Sequence, residues 1–67
     1  MDKNEFGKII KQRRSILNIT QKDLSAISGV TLRKLIDIEN GLANPTLNTL
    51  MKLTEALGLT IDVKVKT

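Results

Sequence analysis

Residues 21–40, QKDLSAISGVTLRKLIDIEN, decide the fold that we predict for this chain. They contain two short stretches of helical periodicity separated by Gly29, a residue that adopts a left-handed backbone at little cost. Thr20 and Thr31 precede the two stretches, and threonine is a common N-cap. Four apolar residues fall where the two helices can bury them together: Leu24, Val30, Leu35 and Ile38. This pattern predicts a helix-turn-helix, with an ordinary helical hairpin as the alternative.

The flanking segments predict two supporting helices. Residues 3–18 form one face at helical spacing, made of Phe6, Ile9 or Ile10, Arg13 and Leu17. Asn4 or Asp2 can cap this helix, and Asn18 suits a left-handed end. The fourth helix begins at Asn44-Pro45-Thr46, because proline suits a helix entry, and it ends at Gly58. Its apolar stripe consists of Leu47, Leu50, Leu53, Thr54 and Leu57. The fold class is therefore mainly α, with four helices.

The tail, residues 59–67, changes from helical to strand periodicity. Its apolar residues alternate with polar ones, which is the pattern of a strand: Leu59, Ile61, Val63 and Val65. The sequence has no second strand pattern, and a lone strand leaves its backbone groups unpaired. We therefore expect the tail to pair antiparallel with the tail of a second copy, and these four residues to make the dimer contact. A disordered tail is the alternative.

Composition narrows the possible functions of this single small domain. The 67 residues are 40% hydrophobic and 27% charged, and the net charge of +4 suits an anionic partner, although solubility alone can explain it. Cysteine and histidine are absent, so the commonest metal ligands and the usual acid–base residue are missing. We expect no metal, cofactor or catalysis. Without an apolar run or a signal peptide, we expect a cytoplasmic protein that does not enter membranes.

The outward face of the third predicted helix suggests a partner. With Leu35 and Ile38 facing inward, the residues on that face are Thr31, Leu32, Arg33, Ile36 and Asp37. Leu32 and Ile36 would be two exposed apolar residues, which need a cover such as a thymine methyl in the major groove, or another protein chain. Arg33 can reach a guanine edge or a phosphate, and Asp37 can accept from cytosine or orient Arg33. Double-stranded DNA is the expected partner.

The whole pattern resembles the Cro/CI-type, or XRE, family of helix-turn-helix regulators, whose domain is lambda repressor-like. The resemblance covers about residues 5–60. It rests on the order and spacing of the following residues: Arg14, Thr20-Gln21, Leu24, Ser25, Gly29-Val30-Thr31, Ile38-Glu39-Asn40-Gly41, Asn44-Pro45 and the stripe Leu50–Leu57.

This resemblance implies specific roles. Gln21 would contact a phosphate and brace the recognition helix, and Asn40 and Asn44 would hold the phosphate backbone. Arg14 and Glu39 would form a partly buried salt bridge. The outward residues of the third helix would face bases or nearby phosphates. Residues 1–58 would bind DNA and residues 59–67 would dimerise, giving a homodimeric repressor or autoregulator on a palindromic operator.

Two features depart from the family pattern, and the second of them suggests an alternative function. Ile27 occupies a position that is usually polar, and it would pack on the tail or on a partner. The predicted strand replaces the usual fifth helix, which resembles the HipB-type antitoxins on the evidence of LGLTIDVKVK and the double arginine at 13–14. That resemblance implies an antitoxin that binds both DNA and a kinase-like toxin.

Overall fold

A computed structural model describes residues 1–66 and contains four helices in that part of the chain. They are α1 (Lys3–Ile16), α2 (Gln21–Ser28), α3 (Leu32–Glu39) and α4 (Leu47–Leu57). The prediction of a mainly α, four-helix domain is confirmed. Thr67, the last residue of the predicted tail, lies outside the described residues. Within residues 1–66 no helix is long and apolar enough to cross a membrane.

A side chain caps the start of each helix. Asp2, rather than Asn4, caps α1 and accepts the Glu5 backbone N–H at 2.9 Å. Thr20 and Asp23 form a reciprocal capping box at the start of α2, with N···O distances of 2.9 and 3.0 Å. Threonines also cap α3 and α4. These caps satisfy amide groups that have no partner inside the helix, so each start is fixed locally.

Left-handed residues end the helices. Asn18 ends α1 with φ 58°, and Gly41 follows α3 with φ 73°. Beyond Gly41, the Leu42 N–H returns to the Asp37 carbonyl at 2.9 Å, which closes a Schellman motif. The chain therefore turns sharply after each helix and can bring the next one back onto the core.

The core lies where α1 and α2 each pack against both α3 and α4. It consists of Phe6, Ile10, Leu24, Val30, Leu35, Ile38, Leu53 and Leu57. All four residues predicted to lie between α2 and α3 are in it. Leu47, predicted to belong to the apolar stripe of α4, is instead 65% exposed. The reason is rotation, because 3.6 residues per turn set Leu47 about 80° from Leu57 around the helix axis.

Gly7 marks the closest approach of α1 to α3. A Cβ at this position would lie 3.0 Å from the Glu39 carbonyl oxygen and would collide with that of Ile38. Both obstacles are backbone atoms, which cannot rotate away. The absence of a side chain at residue 7 therefore sets how deeply the last turn of α3 sits against α1.

The tail forms no strand in residues 59–66. Leu59 packs against the core and Ile61 is 45% exposed, whereas Val63 and Val65 are 90% and 92% exposed. A strand needs the backbone of a second strand, which residues 1–66 do not supply. The pairing of tails across a dimer stays a prediction.

Candidate nucleic-acid interface

Two serines fix the turn between α2 and α3. The Ser25 hydroxyl donates to the Val30 carbonyl at 2.6 Å, and the Ser28 hydroxyl accepts from the Val30 N–H at 3.2 Å. Gly29 between them has φ 77°. Both polar groups of Val30 are therefore bound to α2, so the direction in which α3 leaves the turn is fixed.

Three helices meet at the carboxylate of Glu39, the last residue of α3. Arg14 from α1 donates Nε to Oε2 at 2.9 Å and Nη2 to Oε1 at 3.0 Å. Gln21 from α2 donates Nε2 to the same Oε1 at 3.1 Å. The Glu39 side chain is 1% exposed and that of Arg14 is 16% exposed. The implied salt bridge is thus present in the structure, and Gln21 braces α3 through it.

The fourth hydrogen bond of this network binds a backbone carbonyl in the loop after α1. Arg14 Nη1 donates to the Ile19 carbonyl at 3.0 Å. The hydrogen bond to Glu39 raises the pKa of Arg14 above its ordinary value, so the guanidinium stays charged. Arg14 is therefore a structural residue that orients α3, and it is not free to bind a ligand.

Arg33 is the more exposed member of an ion pair on the outward face of α3. Its side chain is 82% exposed, and its Nη2 lies 3.7 Å from a carboxylate oxygen of Asp37. Of the two roles open for Asp37, this contact agrees with the one in which it orients Arg33. A surface pair of this length contributes little free energy, so Arg33 can exchange it for a phosphate or a base.

Leu32 and Ile36 are half-buried, not exposed as we predicted. Of the eight residues of α3, which packs against both α1 and α2, only Arg33 and Lys34 are exposed. Leu32 and Ile36 lie at the borders of this exposed face and are partly covered. Only the outer part of each side chain is then available to a thymine methyl, and the surface by itself does not demand a protein cover.

A helix-turn-helix family model matches residues 10–64 of the chain. The chain belongs to this family, in its XRE type. The resemblance predicted from the sequence is confirmed.

Three relatives of this XRE-type domain are described as HTH-type transcriptional regulators. An uncharacterized one from Haemophilus influenzae is 44% identical over 50 residues, which cover 75% of this chain and 51% of that protein. One from Methanocaldococcus jannaschii is 34% identical over 53 residues, covering 79% and 80%. One from Sinorhizobium fredii is 27% identical over 59 residues, covering 88% and 78%. The chain thus spans about half the length of the H. influenzae protein.

Two exposed lysines beside the outward residues of α3 were not singled out from the sequence. Lys22 and Lys34 are exposed in the first turns of α2 and α3. A cation at a helix N-terminus is opposed by the helix dipole, which favours anions there. Lysine at both first turns is unfavourable in the free protein and favourable beside a polyanion. That conflict is the signal through which the sequence could have identified them.

Arg13 has a structural role in the XRE-type domain. Its Nε donates to the Leu57 carbonyl at 2.9 Å, which places a cation at the C-terminal end of α4. The sequence had placed Arg13 on the inner face of α1, and the half-buried side chain in the structure agrees with that prediction.

Asn40 and Asn44 are exposed in the segment between α3 and α4. Gly41, next to Asn40, is buried, and the Asn4 side chain lies against it. The start of α1 thus supports the backbone between the two asparagines. The backbone amides around Gly41 lie beside the C-terminal end of α3.

Proposed function

We propose that this domain binds double-stranded DNA sequence-specifically and acts as a homodimeric transcriptional repressor or autoregulator. The observation that carries the proposal is the contrast between the two faces of α3. Its inner face is fixed by Leu35, Ile38 and the Glu39 network, while Arg33 on its outer face is 82% exposed. A helix that is held rigidly and presents an accessible arginine is suited to the major groove.

Contacts to bases and contacts to phosphates come from different parts of the motif. In this proposal the outward set faces the bases: Thr31, Leu32, Arg33, Ile36 and Asp37. Gln21, Asn40 and Asn44 hold the phosphate backbone and set the depth of α3 in the groove. Lys22 and Lys34 add attraction to the phosphates, so binding weakens as salt concentration rises.

Dimerisation determines the form of the operator. Residues 1–58 read DNA, and residues 59–67 join the two copies about a two-fold axis. The recognition helices then contact half-sites about 34–36 Å apart, so the operator is a palindrome with its halves one helical turn apart. Occupancy of such a site blocks polymerase, which gives repression, and a protein that acts on the chromosome in this way works in the cytoplasm.

Selection of bound sequences from a random DNA pool tests the proposal. We expect one palindromic motif and an affinity that falls steeply with salt concentration. The Arg33→Ala variant is the informative one, and Lys52→Ala, which removes an exposed charge from α4, is its control. A pool that shows no enrichment, together with binding that is independent of salt, would refute DNA recognition.

Exposed Ile27 supports a second candidate function, that of an antitoxin. Ile27 is 62% exposed, and it lines a cleft of about 280 Å³ between α2 and α4 with Lys52, Glu55 and Ala56. A solvent-exposed isoleucine beside a cleft is suited to contact another protein. If the gene beside this one encodes a toxin, Ile27→Glu should abolish co-purification of that toxin and leave operator binding intact. Loss of both activities would indicate misfolding instead.

A further inference from the structure

We propose that two copies of the tail pair antiparallel with the two-fold axis at Val63, so that Asp62 of each copy lies opposite the partner's Lys64. This inference rests on the proposed homodimer and specifies its register. In this proposal, the partner that covers the exposed apolar residues of the tail is a second copy of this chain.

Apolar side chains are exposed both on the tail and on α4. Val63 and Val65 are 90% and 92% exposed, and Ile61 is 45% exposed. Ile61 lines an open cleft of about 410 Å³ together with Leu47 and Met51 of α4, which are 65% and 54% exposed. Two paired strands alone are only marginally stable, so their apolar face needs a support. The exposed side of α4 supplies one in each copy.

The alternation of side chains restricts the possible registers. In residues 61–66 the odd-numbered residues are apolar and the even-numbered ones are charged. Directly opposite residues in an antiparallel pair point to the same face. A two-fold axis that passes between two residues would set an apolar residue opposite a charged one throughout. The axis must therefore pass through a residue.

Charge then selects among the remaining registers. An axis at Asp62 sets two aspartates opposite each other, and an axis at Lys64 does the same with two lysines. Like charges directly opposite are destabilising. An axis at Val65 sets Lys64 opposite Lys66 on both sides of the axis, which is also repulsive. An axis at Ile61 sets Asp62 opposite Thr60 and Lys64 opposite Gly58, so neither charge has an opposite partner.

An axis at Val63 gives favourable cross-strand pairs on both faces of the paired strands. Two Asp62–Lys64 pairs form across the strands, Val63 meets its own copy, and Ile61 meets Val65. Opposite charges and β-branched residues are favourable cross-strand pairs.

The single chain already has the side-chain arrangement that this register uses. Lys64 Nζ lies 3.6 Å from Asp62 Oδ2, which puts both charges on the same side of the tail. The side chains are 82% and 68% exposed, so this pair contributes little free energy and is readily exchanged for the two pairs between copies. Complementary charge thus accompanies the exposed apolar surface.

A single-cysteine scan of positions 61–65 tests the register, because the chain has no cysteine of its own. Directly opposite Cα atoms are about 4.5–5.5 Å apart, within the range that a disulfide spans. Diagonal neighbours are about 7–8 Å apart, which is too far. We expect the yield of disulfide-linked dimer to peak at Val63→Cys. A maximum at 62 or 64, or equal yields throughout, overturns the register.

Sedimentation and operator binding of the unchanged chain separate this proposal from the proposed function. A dimer that binds its operator but does not cross-link best at residue 63 overturns the register alone. A chain that stays monomeric at all concentrations overturns both the register and the homodimer.

Charge reversal gives an independent test. Asp62→Lys and Lys64→Asp should each weaken self-association on the order of tenfold, because each turns two attractive cross-strand pairs into repulsive ones. The double variant should restore the dimer, as should an equal mixture of the two single variants. Lys66→Asp is the matched control, since Thr60 lies opposite residue 66 in this register. A double variant no better than the single ones overturns the proposal.

Discussion

Replacing Glu39 by methionine would leave the Arg14 guanidinium, which is 16% exposed, without its counter-charge. Breaking one side of a buried ion pair costs about 3–5 kcal/mol, because the remaining charge stays desolvated. A core in a chain of this size supplies about 3–5 kcal/mol of net stability. We therefore expect Glu39→Met and Arg14→Met each to be largely unfolded at room temperature.

The double variant Arg14→Met/Glu39→Met should recover most of the lost stability. It removes both charges and leaves apolar side chains of similar length, an exchange that is often neutral or stabilising. Its remaining cost is about 1 kcal/mol for the Ile19 carbonyl, which loses its donor. Gln21 is half-buried and can bond to water instead.

Urea unfolding followed by circular dichroism measures this double-mutant cycle. All variants are measured at one sulfate concentration, chosen so that each is folded before urea is added, because sulfate stabilises folded proteins. The exposed pair Arg33–Asp37, 3.7 Å apart, is the control, and we expect a coupling of at most about 0.5 kcal/mol there. If the double variant loses as much free energy of unfolding as the two single variants together, the charge left without a partner does not cause the instability of the single variants.

Four further predictions follow from particular contacts. Gly7→Ala should lower the free energy of unfolding by about 1–3 kcal/mol, because its Cβ meets backbone carbonyls; helix propensity alone predicts a gain of about 1 kcal/mol, so a higher melting temperature would contradict the packing argument. Arg33→Ala should weaken specific operator binding by roughly 1–3 kcal/mol, and an equal loss on every sequence in gel shifts would show that Arg33 contacts only phosphate. The backbone N–H of Thr20 lowers the pKa of Asp23 below its ordinary 3.8. The ionised Asp23 carboxylate therefore stabilises the folded chain fully above pH 3.8, and this stabilisation is lost as pH falls through the lowered pKa. In an acid titration the free energy of unfolding should fall less steeply with pH for Asp23→Asn than for the unchanged chain. Deleting residues 59–67 should give monomers with poor operator binding, whereas sedimentation of an intact dimer would exclude the tail as the contact.

Helix boundaries were predictable from the sequence because local chemistry decides them. Thr20 and Asp23 satisfy each other's backbone amides within one turn, and no distant residue takes part. Gly29 lies in a left-handed conformation that its lack of a side chain favours. Such interactions span three or four residues, so a single sequence contains all the information they need.

Burial at helix edges was harder to predict because neighbouring helices decide it. Leu47 and Leu32 are both leucines at helix N-termini, yet Leu47 is 65% exposed and Leu32 is half-buried. Periodicity gives a direction around one axis, but it does not say how far the neighbouring helix extends. The Arg13 bond to Leu57 joins residues 44 positions apart, and nothing local to either residue signals it.

The candidate interface divides into residues that orient α3 and residues that can vary. Gly7, Arg14 and Glu39 fix the last turn of α3 from the buried side, so replacing any one of them should lower the stability of the domain. Arg33 is 82% exposed and its ion pair is long, so its replacement changes what α3 contacts at little cost to the fold. Ile36 lies between these classes, because it is half-buried and also faces outward. A change of DNA sequence preference should therefore be easiest to obtain at Arg33, and substitutions at Ile36 should alter preference and stability together.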